Sequence, residues 1–226
     1  MSQDKIIDYY DSIAQSYDES RFSNSYGRFV DYEERRVLNK LFQQQNGQRQ
    51  VLEMACGTGR LTNYASHALD ASEQMMAIAQ QRHKNVSFTL ASATDTGFQD
   101  ESFDAVFSFH LMMHLDPETI ERIFEEANRI LKPGGQFIFD IPSRKRRELL
   151  HHKQEGWHGA THLSADEVNQ LAGTRFKVNR SFGIMMLPVH KLPNALRKTL
   201  VSTDFFLANS LIKQYSSYLV YELIKQ

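Results

Sequence analysis

Apolar residues near the amino terminus recur at helical spacing. Ile6, Ile7, Tyr10, Ile13, Ala14 and Tyr17 fall on one face while Asp4, Asp8 and Asp11 project elsewhere, which predicts an amphipathic helix over 4–18 capping a larger body. A second helix is drawn through 30–42, ending before the polar connector QQQNGQRQ at 43–50, where Gly47 suits a turn. Beyond residue 50 the period changes. Short apolar runs, VLEM at 51–54, ALDAS at 68–72, VSFTL at 86–90 and FDAVFSF at 103–109, predict strands rich in β-branched and aromatic residues. Between them lies a helix carrying Met75, Met76 and Ile78, with Ser72 placed to cap it.

The strongest helical pattern follows. Asp116 is a good N-cap, Pro117 fits the first helical position, and Ile120, Ile123, Phe124, Ala127, Ile130 and Leu131 form a core stripe. LKPGG at 131–135 is expected to end it, and QFIFDI to begin the next strand. Towards the carboxyl end, SADEVNQLA at 164–172 predicts a capped helix, and FKVNRSF at 176–182 and SYLVYELIK at 217–225 predict strands. An irregular, partly helical insertion containing Pro188 and Pro193 separates those two strands. Strands alternating with helices imply an α/β fold with a mostly parallel sheet covered on both faces, because a parallel crossover must leave the sheet and return over it.

Composition narrows the reading. With 26 Lys and Arg against 27 Asp and Glu, the net charge of −1 gives no polybasic field for nucleic acid or an anionic membrane. The single cysteine, Cys56, excludes an intramolecular disulfide and a cysteine-rich metal scaffold. The amino terminus opens with charge instead of an apolar secretory core, and no apolar run reaches the length of a membrane span, so a cytoplasmic protein is expected.

Glu53-Met-Ala-Cys-Gly57-Thr-Gly59 sits between a strand and a helix, where an open α/β sheet exposes backbone amides to a ligand. The dinucleotide fingerprint is not met, since Thr62 stands where its third glycine belongs. On its own the segment also fits an ordinary tight turn. Together with ALDASEQMM, DESFDAVFSFHLMMHL, RILKPGGQFIFDIP and the N-terminal YYDSIAQSYDESRF, however, VLEMACGTGR resembles the ordered motifs of the Rossmann-like, class I S-adenosylmethionine-dependent methyltransferases, in their small-molecule branch. The resemblance covers about residues 9–142 and implies a doubly wound, seven-stranded sheet. One domain over 1–226 is expected: a helical cap at 1–45, a core at 50–182, a lid insertion at 183–215 and a last strand at 216–226.

The family resemblance also implies site roles. Ala55, Gly57 and Gly59 would line the methionyl and ribose part of S-adenosyl-L-methionine, with Glu53 helping to hold its ammonium. Asp70 would accept from the ribose hydroxyls, and Ala71, Ser72 and Met75 would border adenine, although capping and core filling also account for Ser72 and Met75. Tyr17 and Arg21 resemble cap residues that close over the cofactor, the guanidinium fork of Arg21 suiting its carboxylate; an exposed pair at a helix end is the alternative.

Two departures from the family stand out. Where it usually has Gly-Asp-Ala after the third strand, this chain has Ala91-Ser92-Ala93, leaving Ser92, the Ala93 backbone or Asp95 to meet adenine. Residues 60–69 must hold both a crossover helix and the second strand, yet a seven-residue helix spans roughly 10 Å while a five-residue strand needs a return of roughly 17 Å. Either that helix is a stub or a segment of about eight residues is missing from the chain, and the geometry favours the second.

The chemistry expected is alignment of a methyl group already activated on a sulfonium, leaving S-adenosyl-L-homocysteine. His110 and His114 are the candidate catalytic residues, as bases or as groups that orient the cofactor, and His110 is also a candidate cofactor contact. His158 and His162 have a metal-like spacing, but no helix or carboxylate motif accompanies them, so no metal is expected; Trp157 and these histidines are candidate substrate contacts. Arg144-Lys145-Arg146-Arg147 reads as a solvated run or an anchor for phosphate or RNA, and Cys56 as a packing residue. The partner expected is a small-molecule acceptor, partly hydrophobic given GIMMLP and DFFLAN, bound by a monomer or homodimer without membrane or nucleic acid. A methyltransferase for RNA or protein and a non-catalytic cofactor-binding partner protein are the rival readings.

Overall fold

A computed structural model describes residues 3–42, 49–153 and 156–226. Strands β1 (Val51–Met54), β2 (His67–Asp70), β3 (Ser87–Leu90), β4 (Phe103–Ser108), β5 (Leu131–Pro142), β6 (Phe176–Ile184) and β7 (Tyr218–Lys225) form one sheet in the order β3-β2-β1-β4-β5-β7-β6. The first five are parallel, and β7 runs antiparallel between β5 and β6. Their alternation sorts residues onto two faces. Val51, Phe107, Ile138 and Val220 lie under α3 (Ser25–Phe42), whose Val37, Leu38 and Leu41 are buried against them. Leu52, Phe137 and Phe139 lie under α5 (Pro117–Ile130) and α7 (Ala165–Ala172). Phe124 of α5 packs 5.2 Å, centroid to centroid, from both Phe137 and Phe139, and each such buried side chain contributes roughly 1.5–3 kcal/mol.

Local signals explain most boundaries. Asp116 accepts from the Thr119 N–H to start α5, Ser164 and Glu167 form a reciprocal capping box on α7, and Ser72 accepts from the Met75 N–H to start α4 (Glu73–Arg82). Elsewhere the molecule corrects the sequence reading. The helix expected over 4–18 is two helices, α1 (Gln3–Ile13) and α2 (Tyr17–Phe22), separated by a 3₁₀ turn at Ala14–Ser16; the Ser12 and Ser16 hydroxyls donate back to the Tyr9 and Ile13 carbonyls, a local competitor for helical bonding. Helix α3 begins five residues before Val30, because the Asn24 side chain accepts from the Gly27 N–H. Gly27 itself is required there: a Cβ would lie 1.9 Å from the Arg21 carbonyl oxygen. LKPGG is not a stop but the irregular start of β5, with Leu131 paired to Phe103 before the register shifts. The connector at 43–48, with Gly47, lies outside the described residues.

The crossover between β1 and β2 is the main correction. It contains a 3₁₀ turn, Thr62–Tyr64, and no α-helix. Helix α3 covers this part of the sheet instead: Arg35 donates to the Arg60 carbonyl at 2.5 Å, and the Tyr64 hydroxyl donates to Asn39 at 2.8 Å. A 3₁₀ stub therefore bridges the two strands in this chain. The insertion forms two 3₁₀ turns, Val189–Lys191 and Lys213–Tyr215, on either side of α8 (Asn194–Ala208), and it too leans on α3, with Met185 and Val189 packed on Phe29 and Val30. Among the described residues no helix is long and apolar enough to cross a membrane.

Candidate active site

Because β1 to β5 run in one direction, the turns that follow them meet at one edge of the sheet. A cavity of about 380 Å³ opens there, with α1 and α2 across it. The turn after β1 contributes Ala55 and Gly57, both at positive φ (60° and 54°). For Ala55 that backbone is strained. A Cβ on Gly57 would meet nothing within 4 Å, so the space beside it is open to a ligand, whereas one on Gly59 would lie 3.0 Å from Ala79 and His83. Gly59 thus serves the packing of α4 and does not line the cavity. Asp70 closes β2 with one carboxylate oxygen accepting from the Gly57 N–H at 2.7 Å and the other from the Ser72 N–H at 2.8 Å. Each oxygen keeps a lone pair for a further donor.

Ala71, Ser72 and Met75 continue the wall, followed by Ser92 and Ala93 after β3. Ser92 is partly engaged, its hydroxyl 2.9 Å from that of Thr94, while Asp95 is exposed and off the wall. Tyr10 and Tyr17 face the cavity from the cap, their rings 6.0 Å apart. Burial raises both phenols above their ordinary range, so they remain neutral. Arg21 is exposed and lies off the wall, yet within electrostatic reach of Tyr10 and His114. Glu53 is buried one layer below, accepting from the Thr62 hydroxyl; burial pushes its carboxyl up to about 8. Cys56 is buried, its thiol pushed upward by burial, as befits packing. Among the described residues none of 183–215 lines the cavity, and the apolar side chains of Met185 and Val189 pack on α3 instead.

His110 follows β4 at φ 59°, its N–H held 2.6 Å from Asp140 of β5. Its two ring nitrogens face two carboxylates. Nε2 lies 2.6 Å from Glu34 of α3, an ion pair whose atoms are not aligned as a directed hydrogen bond, and Nδ1 lies 3.6 Å from Asp140. Burial opposes the charged imidazole, but Glu34 and Asp140 outweigh it and raise its pKa. Burial also opposes ionised Glu34, and Arg60, 2.5 Å away, together with His110 holds it at about 2. Asp140 rises to about 6 through burial, moderated by His110. The donor atoms of Glu34, His110 and Asp140 converge within 4.8 Å, and Arg60 brings to this group the positive charge that an ion would otherwise supply.

His114 behaves differently. Burial, with His158 and His110 nearby, lowers its pKa to about 3. Its Nδ1 accepts from the Gly159 N–H at 3.1 Å, which assigns the proton to Nε2. Trp157 and His158 lie behind it, at 5.6 and 5.4 Å between centroids, and Tyr9 packs 5.5 Å from Trp157. His162 is drawn away from this group toward the Ala160 carbonyl and Arg147, so it forms no pair with His158.

The comparisons with known proteins bear on this geometry. Residues 52–139 match the family described as a methyltransferase domain. Over that segment the chain is similar to methyltransferase domains, and the superpositions below give it the fold of class I S-adenosylmethionine-dependent methyltransferases. It is 35% identical over 138 residues to an uncharacterized protein of Methanocaldococcus jannaschii, covering 60% of this chain and 51% of that one. With a demethylmenaquinone methyltransferase of Paenarthrobacter aurescens it shares 30% identity over 142 residues, 60% of this chain and 54% of the relative. The chain thus spans about half the length of these relatives. A Thermotoga maritima methyltransferase, described as a possible histamine N-methyltransferase, superposes with a TM-score of 0.71 at 21% identity over 96% of this chain and 98% of its own. Magnesium protoporphyrin IX methyltransferase of Synechocystis, solved with bound S-adenosylhomocysteine, gives 0.71 at 13% identity over the whole of both chains.

Sequence reasoning about the site missed Glu34, Arg60 and Asp140. Signals were present. Glu34 interrupts the apolar stripe Val30, Val37, Leu38 and Leu41, and Asp140 interrupts the apolar run of β5; a charge where burial is expected has to find a partner.

Proposed function

We propose that the chain transfers a methyl group from S-adenosylmethionine to a small-molecule acceptor. The observation that carries this reading is the carboxylate of Asp70, set at the end of β2 between two backbone N–H groups and beside the open space at Gly57. The bound cofactor supplies a methyl group already activated on sulfur. In this reading Asp70 accepts from the ribose hydroxyls, Arg21 holds the carboxylate, and Glu53 answers the ammonium, a cation that draws its raised pKa down. Ala71, Ser72, Met75, Ser92 and Ala93 border adenine, and Tyr10 and Tyr17 exclude water.

His110 acts as a positioning residue, because both of its ring nitrogens face carboxylates and neither is left for an acceptor proton. His114, neutral and protonated on Nε2, offers a donor. The rate enhancement then comes from alignment and desolvation, which supply up to roughly 7–11 kcal/mol in well-oriented cases. The modest size of the cavity and the balanced net charge support a small acceptor over RNA. Calorimetric titration with S-adenosylhomocysteine tests the reading: saturable binding, weakened at least tenfold by Asp70→Ala, is expected, and a wild-type protein without such binding overturns it.

A further inference from the structure

Most of the arginines near the cavity are paired with an acid, and one of the basic run is not. Asp18 pairs with Arg82, Asp31 with Arg35 and Arg60, Glu34 with Arg60 and His110, and Glu167 with Arg144. Arg147, on α6 (Arg144–Leu149), is half-buried and has no carboxylate within 4 Å among the described residues. Its neighbours in the same basic run differ. Arg144 has Glu167 at 2.7 Å, Lys145 is exposed, and Arg146 donates to the Met186 and Tyr215 carbonyls with Asp204 in electrostatic reach.

The surroundings of Arg147 join it to the site. Its Nη1 donates to the Gly159 carbonyl at 2.5 Å, and the Gly159 N–H donates to His114 on the cavity wall. Its electrostatic neighbours are the phenols of Tyr218 and Tyr26, 3.3 Å from each other, and the Tyr218 ring lies 5.8 Å from that of His110. Burial works against this guanidinium, and among the described residues no carboxylate offsets it. A partly desolvated arginine whose fork lacks a carboxylate is completed by an oxyanion, which accepts two parallel N–H bonds.

We infer that the acceptor carries an oxyanion, carboxylate or phosphate, which Arg147 holds on the rim of the cavity between His114 and Tyr218. This rests on the methyl-transfer reading for the word acceptor, but the anion subsite can be measured without turnover. Trp157, the only tryptophan of the chain, lies two residues from Gly159 and reports on the subsite by fluorescence. Benzoate and phenyl phosphate are titrated, with benzyl alcohol and benzylamine as neutral and cationic controls, each with and without S-adenosylhomocysteine.

Saturable binding of at least one oxyanion is expected, weakened tenfold or more by Arg147→Gln, less by Arg147→Lys, and unchanged by Lys145→Gln. The preferred probe then separates a carboxylate acceptor from a phosphate one. Equal binding to the wild type and Arg147→Gln, tighter binding of the controls, or no oxyanion binding at all overturns the proposal. Failure of S-adenosylhomocysteine to bind while an oxyanion still does overturns the methyl-transfer reading alone. Circular dichroism and unfolding curves of each variant separate loss of the subsite from loss of the fold.

Discussion

The two ends of the cavity are built in different ways. The end around Asp70 is made of short turns that immediately follow β1, β2 and β3, so that Ala55, Gly57, Asp70, Ser72 and Ser92 all lie within a few residues of a strand terminus. The end around His110 is assembled from α3, the loop after β4, β5 and β7, and its Tyr26–Tyr218 contact joins positions 192 apart. Backbone N–H groups organise the first end, whereas buried charges facing one another organise the second. The first can therefore tolerate changes in remote packing. The second is exposed to any loss of charge balance.

Removing Glu34 should break that comparison most severely. Glu34→Ala leaves Arg60 and His110 buried beside a lost anion, and a stability loss of about 3–5 kcal/mol is expected in urea unfolding. The Asp70 end should survive it: S-adenosylhomocysteine affinity, measured at a temperature where the variant is folded, is expected to change less than it does in Asp70→Ala. A larger loss of affinity in Glu34→Ala would show that the two ends are one unit.

A smaller effect separates the two glycines of the β1 turn. Gly59→Ala should destabilise by about 1–3 kcal/mol, since its Cβ meets α4 and its φ of 84° disfavours a side chain. Gly57→Ala should cost about 1 kcal/mol of backbone strain but weaken S-adenosylhomocysteine binding more than Gly59→Ala does. Thermal unfolding and calorimetry on the two variants read these together.

The smallest expected effects are pH dependences of opposite sign. Glu34 ionises more readily folded than unfolded, so its contribution is present above its ordinary pKa and is lost as pH falls toward about 2. Glu53 is the reverse: its folded carboxyl keeps a proton up to about 8, so its contribution is present below its ordinary pKa and is lost as pH rises between roughly 4.5 and 8. Glu53→Gln should accordingly raise the melting temperature relative to the wild type at pH 8 and leave it nearly unchanged at pH 4.5. Binding of S-adenosylhomocysteine, whose ammonium favours ionised Glu53, should release protons near pH 7. Calorimetry in two buffers of different ionisation enthalpy measures that release, and equal heats in the two would argue that Glu53 does not face the ammonium.

The sequence by itself determined the alternating strands and helices, the mostly parallel sheet, the caps at Ser72, Asp116 and Ser164, and the turn residues that gather at the Asp70 end of the cavity. These depend on periodicity and on bonds between residues three or four apart, which a linear chain displays openly. Only the tertiary structure decided that a 3₁₀ stub can bridge β1 and β2, because α3 supplies the cover that a crossover helix would have given. It also decided that the insertion packs on α3 and leaves the cavity wall to α1, that His110 faces Glu34 and Asp140, and that among the described residues Arg147 lacks the carboxylate that Arg144 has. Those outcomes turn on which charges meet across distant segments once water is removed, and the strength of such meetings depends on separation and burial, neither of which is written in the order of residues.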